Sequence, residues 1–311
     1  IAQLEDLNKY SLPLVGGKAA NLGEMYNAGL PVPYAFVVTV KAYEEFLEKS
    51  GLKEKILKIL DETNTDDPTE LGKNTEKIRS MIEEAEIPQE IKEEIIRSYK
   101  ELSKRFGKEE EYVAVRSSAT AEDVPDASFA GQQLTILNVK GAENVLEAVK
   151  RCWASLFTAR ATFYRKRKGF DHAKVLIAIP VQKQLGALGK EAYLEGRYKA
   201  GVGFTIHPTT GDRDKIVIEG SWGQGESVVS GSVTPDTYVL DKKTGEVVEK
   251  HVSNKSKMSV AVQGGGVEEV EVPPSMAKKE CLTEKEIKQL WQLALKLEDH
   301  YKSPQDFEWV S

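Results

Sequence analysis

The spacing of apolar residues changes along the chain, and this change constrains the fold more than any other feature of the sequence. Through about residue 110 the apolar positions recur at helical intervals, as at Ile91, Ile95 and Leu102 after Pro88. From Lys174 onward, short segments bounded by turn residues are typical of strands. The expected strands lie at 174–182, 201–206, 214–220, 236–240, 246–252 and 256–262. The pattern predicts an α+β protein with a helix-rich first lobe and a second lobe rich in antiparallel sheet.

Four further segments complete this outline. The polar residues of 62–75 favour a surface loop, and the apolar spacing of 143–168 predicts one long helix. Glycines at 264–266 and prolines at 273–274 indicate a linker. Thr283 and Glu286 have the spacing of a capping box, which predicts the start of a last helix.

Composition limits the classes of protein that fit this outline. The chain has 311 residues, of which 40% are apolar and 30% charged, as in soluble globular proteins. Its 43 basic and 49 acidic residues give a net charge of −6, which argues against a dedicated nucleic-acid-binding protein.

The longest apolar run, 175–181, is far shorter than the ~20 residues that cross a membrane. Cys152 and Cys281 have no paired spacing, so we expect no disulfide framework and a cytoplasmic location. Because the chain begins at Ile1 rather than Met, we treat it as part of a longer polypeptide.

The first segment with chemical potential is a lysine after two glycines. Gly16 and Gly17 precede Lys18 at the start of an expected helix. Free backbone N–H groups at a helix start favour a phosphate, and a lysine adds a mobile positive charge. The alternative is an ordinary helix start with a solvated lysine.

The second segment is an arginine at the end of a strand. Arg116 closes the expected strand 112–116 and precedes a segment, 117–131, that has neither helical nor strand periodicity. An arginine placed there can bind phosphate oxygens with two parallel hydrogen bonds, and long loops of this kind are often functional. The alternative is a surface loop with an ion-paired arginine.

Two acidic segments follow. The stretch 220–231 is rich in glycine, which lets backbone approach a ligand closely, and its Glu226 can bind a ribose hydroxyl or a cation. Asp306 and Glu308 alternate with apolar residues, so both carboxylates point to one face of an expected strand and suit Mg²⁺. The alternatives are a tight turn with an exposed glutamate and two solvated carboxylates on an edge strand.

Together these four segments indicate a site of the ATP type. The chain has neither the phosphate-binding loop of P-loop proteins nor a dinucleotide-binding glycine motif. Phosphoryl transfer needs little beyond positioning and charge neutralisation, which a lysine, an arginine, a loop and a carboxylate-held metal can provide.

The motifs themselves resemble a known family over about residues 15–310. They are GGKAANLGEM, VAVRSSATAEDVPDASFAGQQ, SLFTARATFYRKRKGF, GVGFTIHP, GSWGQGESVVSGSVTPD and PQDFEW. They are similar to the N-terminal nucleotide-binding domain of the phosphoenolpyruvate synthase (pyruvate, water dikinase) family, relatives of pyruvate, phosphate dikinase. The resemblance implies an ATP-grasp fold with ATP between two lobes, here 1–181 and 182–311.

The resemblance also implies roles for individual residues in binding Mg·ATP. It implies phosphate contacts for Lys18 and Arg116, a covering loop and strand with Gly131 and Thr135, an adenine contact for Gln182, a ribose contact for Glu226, and Mg²⁺ binding by Glu308.

The sequence departs from the family pattern in three places. The connection after Gln184 that leads to Gly201 is longer and more charged than the family's short hairpin. The family continues past its E-W strand with a Q-S-R-P segment, whereas this sequence stops at Ser311. The T-x-S-H-type segment of the family's swivelling domain does not occur in the given sequence, and none of its four histidines has that context. We expect His172 to be structural.

The function implied by the resemblance is the ATP half-reaction of a dikinase. The chain would transfer the β-phosphoryl group, as pyrophosphate, to a histidine on a separate domain or subunit and leave AMP. Pyruvate is the default final acceptor, bound elsewhere, with phenol and rifamycin as alternatives. A nucleotide-binding module that transfers nothing is the alternative from another class. The basic stretch 160–168 is expected to be a helix surface or a docking face for the mobile domain, and neither nucleic acid nor membrane is an expected partner.

Overall fold

Helices dominate the first hundred residues, as their apolar spacing predicts. The computed structural model describes residues 1–120, 134–186, 190–262 and 265–311, together with the backbone of 123–124 and 127–128. The chain divides into two compact units, Ile1–Gln184 and Leu185–Ser311. The helices of the N-terminal unit are α1 (Leu12–Asn27), α2 (Val40–Lys49), α3 (Leu52–Glu62), α4 (Pro68–Glu84), α5 (Gln89–Arg105), α6 (Ala142–Ala154) and α7 (Ala159–Arg167).

A mixed-length antiparallel sheet runs through the N-terminal unit. Its strands are β1 (Ala2–Gln3), β2 (Ala35–Val38), β3 (Val113–Arg116), β4 (Ser118–Ala119), β7 (Thr135–Val139) and β8 (Ile177–Lys183). The strands β5 (Asp123–Val124) and β6 (Ala127–Ser128) form a separate short hairpin. The order in the main sheet is β1-β2-β8-β3-β7, with β4 also paired to β8. Helix α6 packs on β3, β7 and β8 through buried Val149 and Cys152, and Trp153 stacks on Phe46 at 4.6 Å between ring centroids. Cys152 is therefore a core residue.

The C-terminal unit is built on a five-stranded antiparallel sheet. Its elements are α8 (Lys190–Leu194), β9 (Lys199–Phe204), β10 (Lys215–Trp222), α9 (Glu226–Val229), β11 (Asp236–Asp241), β12 (Val247–His251), β13 (Lys257–Ala261), β14 (Val267–Glu271), α10 (Pro274–Ala277), α11 (Glu284–Tyr301) and β15 (Asp306–Val310). The sheet order is β12-β11-β10-β9-β15. Buried Ile287, Leu290 and Ala294 of α11 belong to the same core as Ile218 and Tyr238 of the sheet. Helix α11 thus covers one face of the sheet. Side chains alternate between the two faces along each strand, so the residues that flank Ile218 and Tyr238 lie on the other face.

The α+β class is confirmed, and three local predictions were wrong. Helix α4 begins inside the expected 62–75 loop, because the Asp67 side chain accepts hydrogen bonds from two backbone N–H groups and Pro68 occupies the first helical position. The expected helix 143–168 is interrupted by Thr158, which has extended backbone and caps α7. The expected linker contains β14, which pairs with β13.

Candidate functional site

A kink at Gly16 determines how α1 approaches the sheet. Gly16 has φ 72° and ψ 168°, a conformation essentially restricted to glycine. A Cβ atom on Gly16 would lie 2.4 Å from the backbone oxygen of Ser118, so the two backbones are in direct contact. The backbone N–H of Ala19 donates a hydrogen bond to the Ser118 hydroxyl at 3.2 Å. Lys18, which is half-buried and lies between Gly16 and Ala19, is thereby held close to Ser118, the second residue after Arg116.

Three of the predicted site residues come together on neighbouring strands. We name Arg116, Thr135 and Gln182 the strand-end cluster. Arg116 of β3 is directly opposite Thr135 of β7, and Gln182 of β8 is opposite Ala114 of β3. Because alternate residues of a strand share a face, all three side chains lie on one side of the sheet. A hydrogen bond of 3.4 Å from Arg116 Nη1 to Gln182 Oε1 joins two of them.

Gln182 is fixed at both ends of its amide. It is 6% exposed, and its Nε2 donates to the backbone oxygen of Pro33 at 3.0 Å while its Oε1 accepts from Arg116. These two hydrogen bonds fix the orientation of the Gln182 amide. The same hydrogen bond holds the Arg116 guanidinium on this face of the sheet, and the planar fork of N–H donors in a guanidinium suits a phosphate.

A buried carboxylate anchors the end of β8 next to Gln182. Glu111 is 1% exposed and accepts from Lys183 Nζ at 2.8 Å and from Lys108 Nζ at 2.9 Å. Burial alone would raise the pKa of Glu111, but these two cations and the N–H of Tyr112 lower it below its ordinary value. Lys183 also lies 3.9 Å from the centroid of the Phe106 ring. The residue that follows Gln182 is thus held firmly in the N-terminal unit.

In the C-terminal unit, carboxylates line up across the face of the sheet that lies opposite α11. We name Glu219, Asp306 and Glu308 the acidic face. Strand β9 lies between β10 and β15. Its Val202 is directly opposite Glu219 of β10 on one side and Glu308 of β15 on the other. Directly opposite residues of antiparallel strands share a face, and two strand spacings separate these glutamates by about 10 Å. The expected strand with Asp306 and Glu308 is therefore confirmed, and both of these carboxylates are exposed.

Glu219 was missed by the sequence analysis. It is half-buried, and burial raises the pKa of its carboxyl group. Its carboxylate forms no hydrogen bond or ion pair with any residue that the structure describes. The signal in the sequence was present but weak: Val217 and Glu219 alternate with Ile216 and Ile218, which places a glutamate opposite the apolar face of β10.

Glu226 stands at the start of the short helix α9, after Gly223 and Gly225. Its side chain is exposed. Gly131 lies outside the described residues.

The donor set of the acidic face fits magnesium. The described part of the chain contains no group of three or more His, Cys, Asp or Glu side chains arranged to hold a metal ion. Mg²⁺, however, is usually bound through one or two carboxylates together with waters and substrate phosphates. The exposed oxygens of Asp306 and Glu308 meet that requirement.

His172 is not part of either group of side chains. Its Nδ1 accepts a hydrogen bond from Nε of the buried Arg165 at 3.2 Å. Burial, and then the charge of Arg165, lower the pKa of His172 to about 4, so the imidazole is neutral at pH 7. This contact is that of a structural histidine.

Comparison with known proteins identifies the family. The model of the pyruvate phosphate dikinase AMP/ATP-binding domain matches residues 12–311. The chain belongs to this family. As a member, it is an ATP-binding domain of the phosphoenolpyruvate synthase-like transferases, as the motifs imply.

Curated relatives match over the whole chain. A probable phosphoenolpyruvate synthase of Methanocaldococcus jannaschii is 50% identical over 310 residues, and one of Methanothermobacter thermautotrophicus is 49% identical over 310 residues. The phosphoenolpyruvate synthase of Pyrococcus furiosus is 46% identical over 348 residues. All three alignments cover 100% of this chain but 25%, 44% and 41% of the respective relatives. The chain thus spans a quarter to less than half of the length of these proteins.

Family membership gives this chain a ligand class, adenine nucleotides. No helix in the described ranges combines the length and the apolar character needed to span a membrane. The roles of Lys18, Arg116, Gly131, Thr135, Gln182, Glu226 and Glu308 remain predictions.

Proposed function

We propose that this chain binds Mg·ATP and carries out the nucleotide half-reaction of a dikinase. Its membership of an AMP/ATP-binding family supports the nucleotide, and its relatives named phosphoenolpyruvate synthase support pyruvate as the default final acceptor. The observation that carries the proposal is the strand-end cluster. There, Arg116 donates a hydrogen bond to Gln182 and lies on the same side of the sheet as Thr135.

The proposed roles follow from charge and donor type. Arg116 and Lys18 contact the phosphates and neutralise the charge that develops during transfer. Thr135, with Gly131, lies beside the phosphates, and its hydroxyl can donate to a phosphate oxygen. The amide of Gln182 presents a donor and an acceptor, which is the pairing that the edge of adenine offers. Glu226 accepts from a ribose hydroxyl.

Glu308, with Asp306 beside it, would hold Mg²⁺ on the acidic face. The metal supplies positive charge against the phosphate oxygens when it is bound. Glu219 lies in the same cross-strand row as Glu308 but about 10 Å away, so it adds a carboxyl group to this face without sharing a metal ion with Glu308.

The proposed reaction uses a histidine from another domain or subunit. A nitrogen of that imidazole attacks the β-phosphorus of ATP, and the bond from this phosphorus to the oxygen that bridges to the α-phosphorus breaks. AMP leaves with that oxygen, the two terminal phosphoryl groups stay on the histidine, and the imidazole loses its proton. The final acceptor is bound elsewhere: pyruvate by default, with phenol and rifamycin as alternatives. The proposed location is the cytoplasm.

The test is AMP release from Mg·ATP in the presence of a histidine-bearing domain from a relative. We expect Arg116→Ala to lower the rate by about 10²- to 10³-fold while nucleotide affinity is largely kept, because the arginine acts on charge in the transition state. Arg97→Ala is the matched control, since Arg97 is an exposed arginine of the same unit, on α5. An unchanged rate for Arg116→Ala favours a nucleotide-binding module without transfer. If no partner domain yields AMP, the dikinase proposal is wrong.

A further inference from the structure

The C-terminal unit contains an ion pair that is completely buried. Asp236, the first residue of β11, and Lys255 are both 0% exposed, and Lys255 Nζ lies 2.5 Å from Asp236 Oδ1. Moving two charges out of water is costly, and apolar residues often stabilise such a position equally well. The value of this buried pair therefore lies in the backbone geometry that its hydrogen bonds determine rather than in stability alone.

Both oxygens of Asp236 bind several parts of the chain at once. Oδ1 also accepts from the backbone N–H of Ser253 at 2.9 Å, and Oδ2 accepts from the N–H of Cys281 at 2.9 Å. Lys255 Nζ donates a second bond to the Ser253 carbonyl oxygen at 3.2 Å. We name residues 253–259 the support stretch. The pair fixes its first residues, Ser253 and Lys255, against the start of β11, and its last residues, 257–259, belong to β13 and pair with β14.

The support stretch holds both ends of the segment that carries Glu226. We name residues 223–235 the glycine-rich loop. At its far end the Ser253 hydroxyl donates to the Thr234 carbonyl oxygen at 2.6 Å. At its near end the Gln224 N–H donates to the Ser259 carbonyl oxygen at 2.8 Å. Gly223, with φ 87°, lies so close to the stretch that a Cβ atom there would be 2.5 Å from the Ser259 oxygen.

Between these two anchors, α9 packs on β9 and β13 and buries Ser227 and Val228. Helix α9 has four residues, too few to be stable alone. Inside the loop, the Val233 N–H and the Ser232 hydroxyl each donate to the Ser227 carbonyl oxygen at 3.2 Å. Within the described ranges, the Glu226 carboxylate has no hydrogen-bond partner. Its position therefore follows the backbone of α9, which is held by the anchors at the two ends of the loop and by packing on β9 and β13.

We infer that the Asp236–Lys255 pair is a positioning device for Glu226. The inference rests on the proposed function, in which Glu226 contacts the ribose. The pair holds the support stretch in one register, and the stretch holds the glycine-rich loop at Gln224 and Thr234. An apolar pair of the same volume could fill the space, but it could not bind the N–H groups of Ser253 and Cys281, so the loop would lose its fixed register.

The experiment compares the affinity of the intact chain for ATP with its affinity for 3′-deoxyATP. Glu226→Gln is expected to lower this discrimination about tenfold, since a charged acceptor for the ribose hydroxyl is lost. The double substitution Asp236→Asn and Lys255→Met removes both charges of the pair, so that no single charge is left buried without its counter-ion. It is expected to lower the discrimination by a similar factor. Adding Glu226→Gln to that pair of substitutions should produce no further loss, because all act through one contact.

The control is a second ion pair of the same unit that does not contact the glycine-rich loop. Lys242 Nζ lies 3.1 Å from Glu298, and Lys242→Met with Glu298→Gln is expected to change stability only. Ser253→Ala is a milder variant in case the buried pair is required for folding. It removes the bond to Thr234 and the 3.5 Å contact of the same hydroxyl with Asp236 Oδ1, while both charges stay in place. It should lower the discrimination partly and speed hydrogen exchange of the amides of 223–235 but not those of β10.

The outcomes separate the inference from the proposed function. If Glu226→Gln loses the discrimination while the folded Asp236→Asn/Lys255→Met chain or Ser253→Ala keeps it, the positioning role is refuted and the ribose contact stands. If Glu226→Gln binds ATP and keeps the discrimination, both the ribose contact and the positioning role are refuted. Failure of the unaltered chain to bind ATP would overturn the proposed function itself.

Discussion

At the scale of single residues, Glu286 illustrates how a local motif and a distant contact act on one carboxylate. The side chain accepts from the N–H and the hydroxyl of Thr283, both at 2.7 Å, which closes the capping box of α11. It also accepts from Lys199 Nζ at 2.5 Å and from the Ser311 hydroxyl at 3.0 Å. Burial acts to raise the pKa of Glu286, but these donors lower it to about 2.

This low pKa makes stability dependent on pH in acid. A carboxylate with a lower pKa in the folded than in the unfolded chain stabilises the fold above its ordinary pKa of 4.5, and the contribution is lost as the pH falls towards about 2. We therefore expect Glu286→Gln to lower the free energy of unfolding at pH 7 and to reduce its slope between pH 4.5 and 2. Urea denaturation at several pH values measures both. Glu284→Gln, at an exposed position of the same turn, is the control, and an equal effect there would contradict the assignment.

Gln182 supplies a second prediction at this scale. Gln182→Glu would place a carboxylate at hydrogen-bonding distance from Arg116, where the amide oxygen lies 3.4 Å from Nη1. An internal ion pair would then compete with phosphate for the guanidinium, so we expect ATP affinity to fall at least tenfold, roughly the worth of one charge-assisted hydrogen bond. Isothermal titration with ATP measures it. Gln184→Glu changes a buried glutamine two residues away, and comparable losses from both variants would show that Arg116 is not the cause.

At the scale of elements, the kink of α1 is the feature on which the position of Lys18 depends. Gly16→Ala would force a Cβ into a glycine-only conformation and against the backbone of Ser118, 2.4 Å away. We expect a loss of more than about 2 kcal/mol in the free energy of unfolding. The matched control is Gly72→Ala in α4, where a Cβ meets nothing within 4 Å and should stabilise the chain by up to about 1 kcal/mol. Chemical denaturation of both variants measures this. Equal stabilities would refute the role of the kink.

The elements that could be predicted were those whose signals are local. The capping box of Thr283 and the alternation of Asp306 and Glu308 depend on neighbours in sequence, and both were confirmed. The Asp67-Pro68 pair was interpreted as part of a loop, although the same two residues are a common helix start. The row formed by Glu219, Val202 and Glu308 could not be predicted, because strand register is set by contacts between residues far apart in the chain.

At the scale of the whole molecule, each unit has its own core and its own half of the proposed ligand chemistry. The N-terminal unit buries Phe36, Phe46 and Trp153 in one cluster, and the C-terminal unit buries Trp222 and Tyr238 in another. The arginine and the lysine proposed to contact phosphate belong to the first unit, and the carboxylates proposed to hold Mg²⁺ belong to the second. The resemblance implies these residues and a boundary between 181 and 182, and the two compact units of the structure meet three residues later, after Gln184.

This division leads to a prediction about separated units. We expect 1–184 and 185–311, produced as two chains, each to unfold cooperatively, because each keeps its own apolar cluster. The chain 1–184 should bind ATP at least tenfold more weakly than the intact protein, and its affinity should not respond to Mg²⁺ through Glu308, which it lacks. Titration of both chains with ATP, with and without Mg²⁺, measures this. The control is intact Glu308→Gln, which should lose the same Mg²⁺-dependent part of the affinity. If 1–184 alone binds Mg·ATP as tightly as the intact protein, the acidic face has no part in binding the nucleotide.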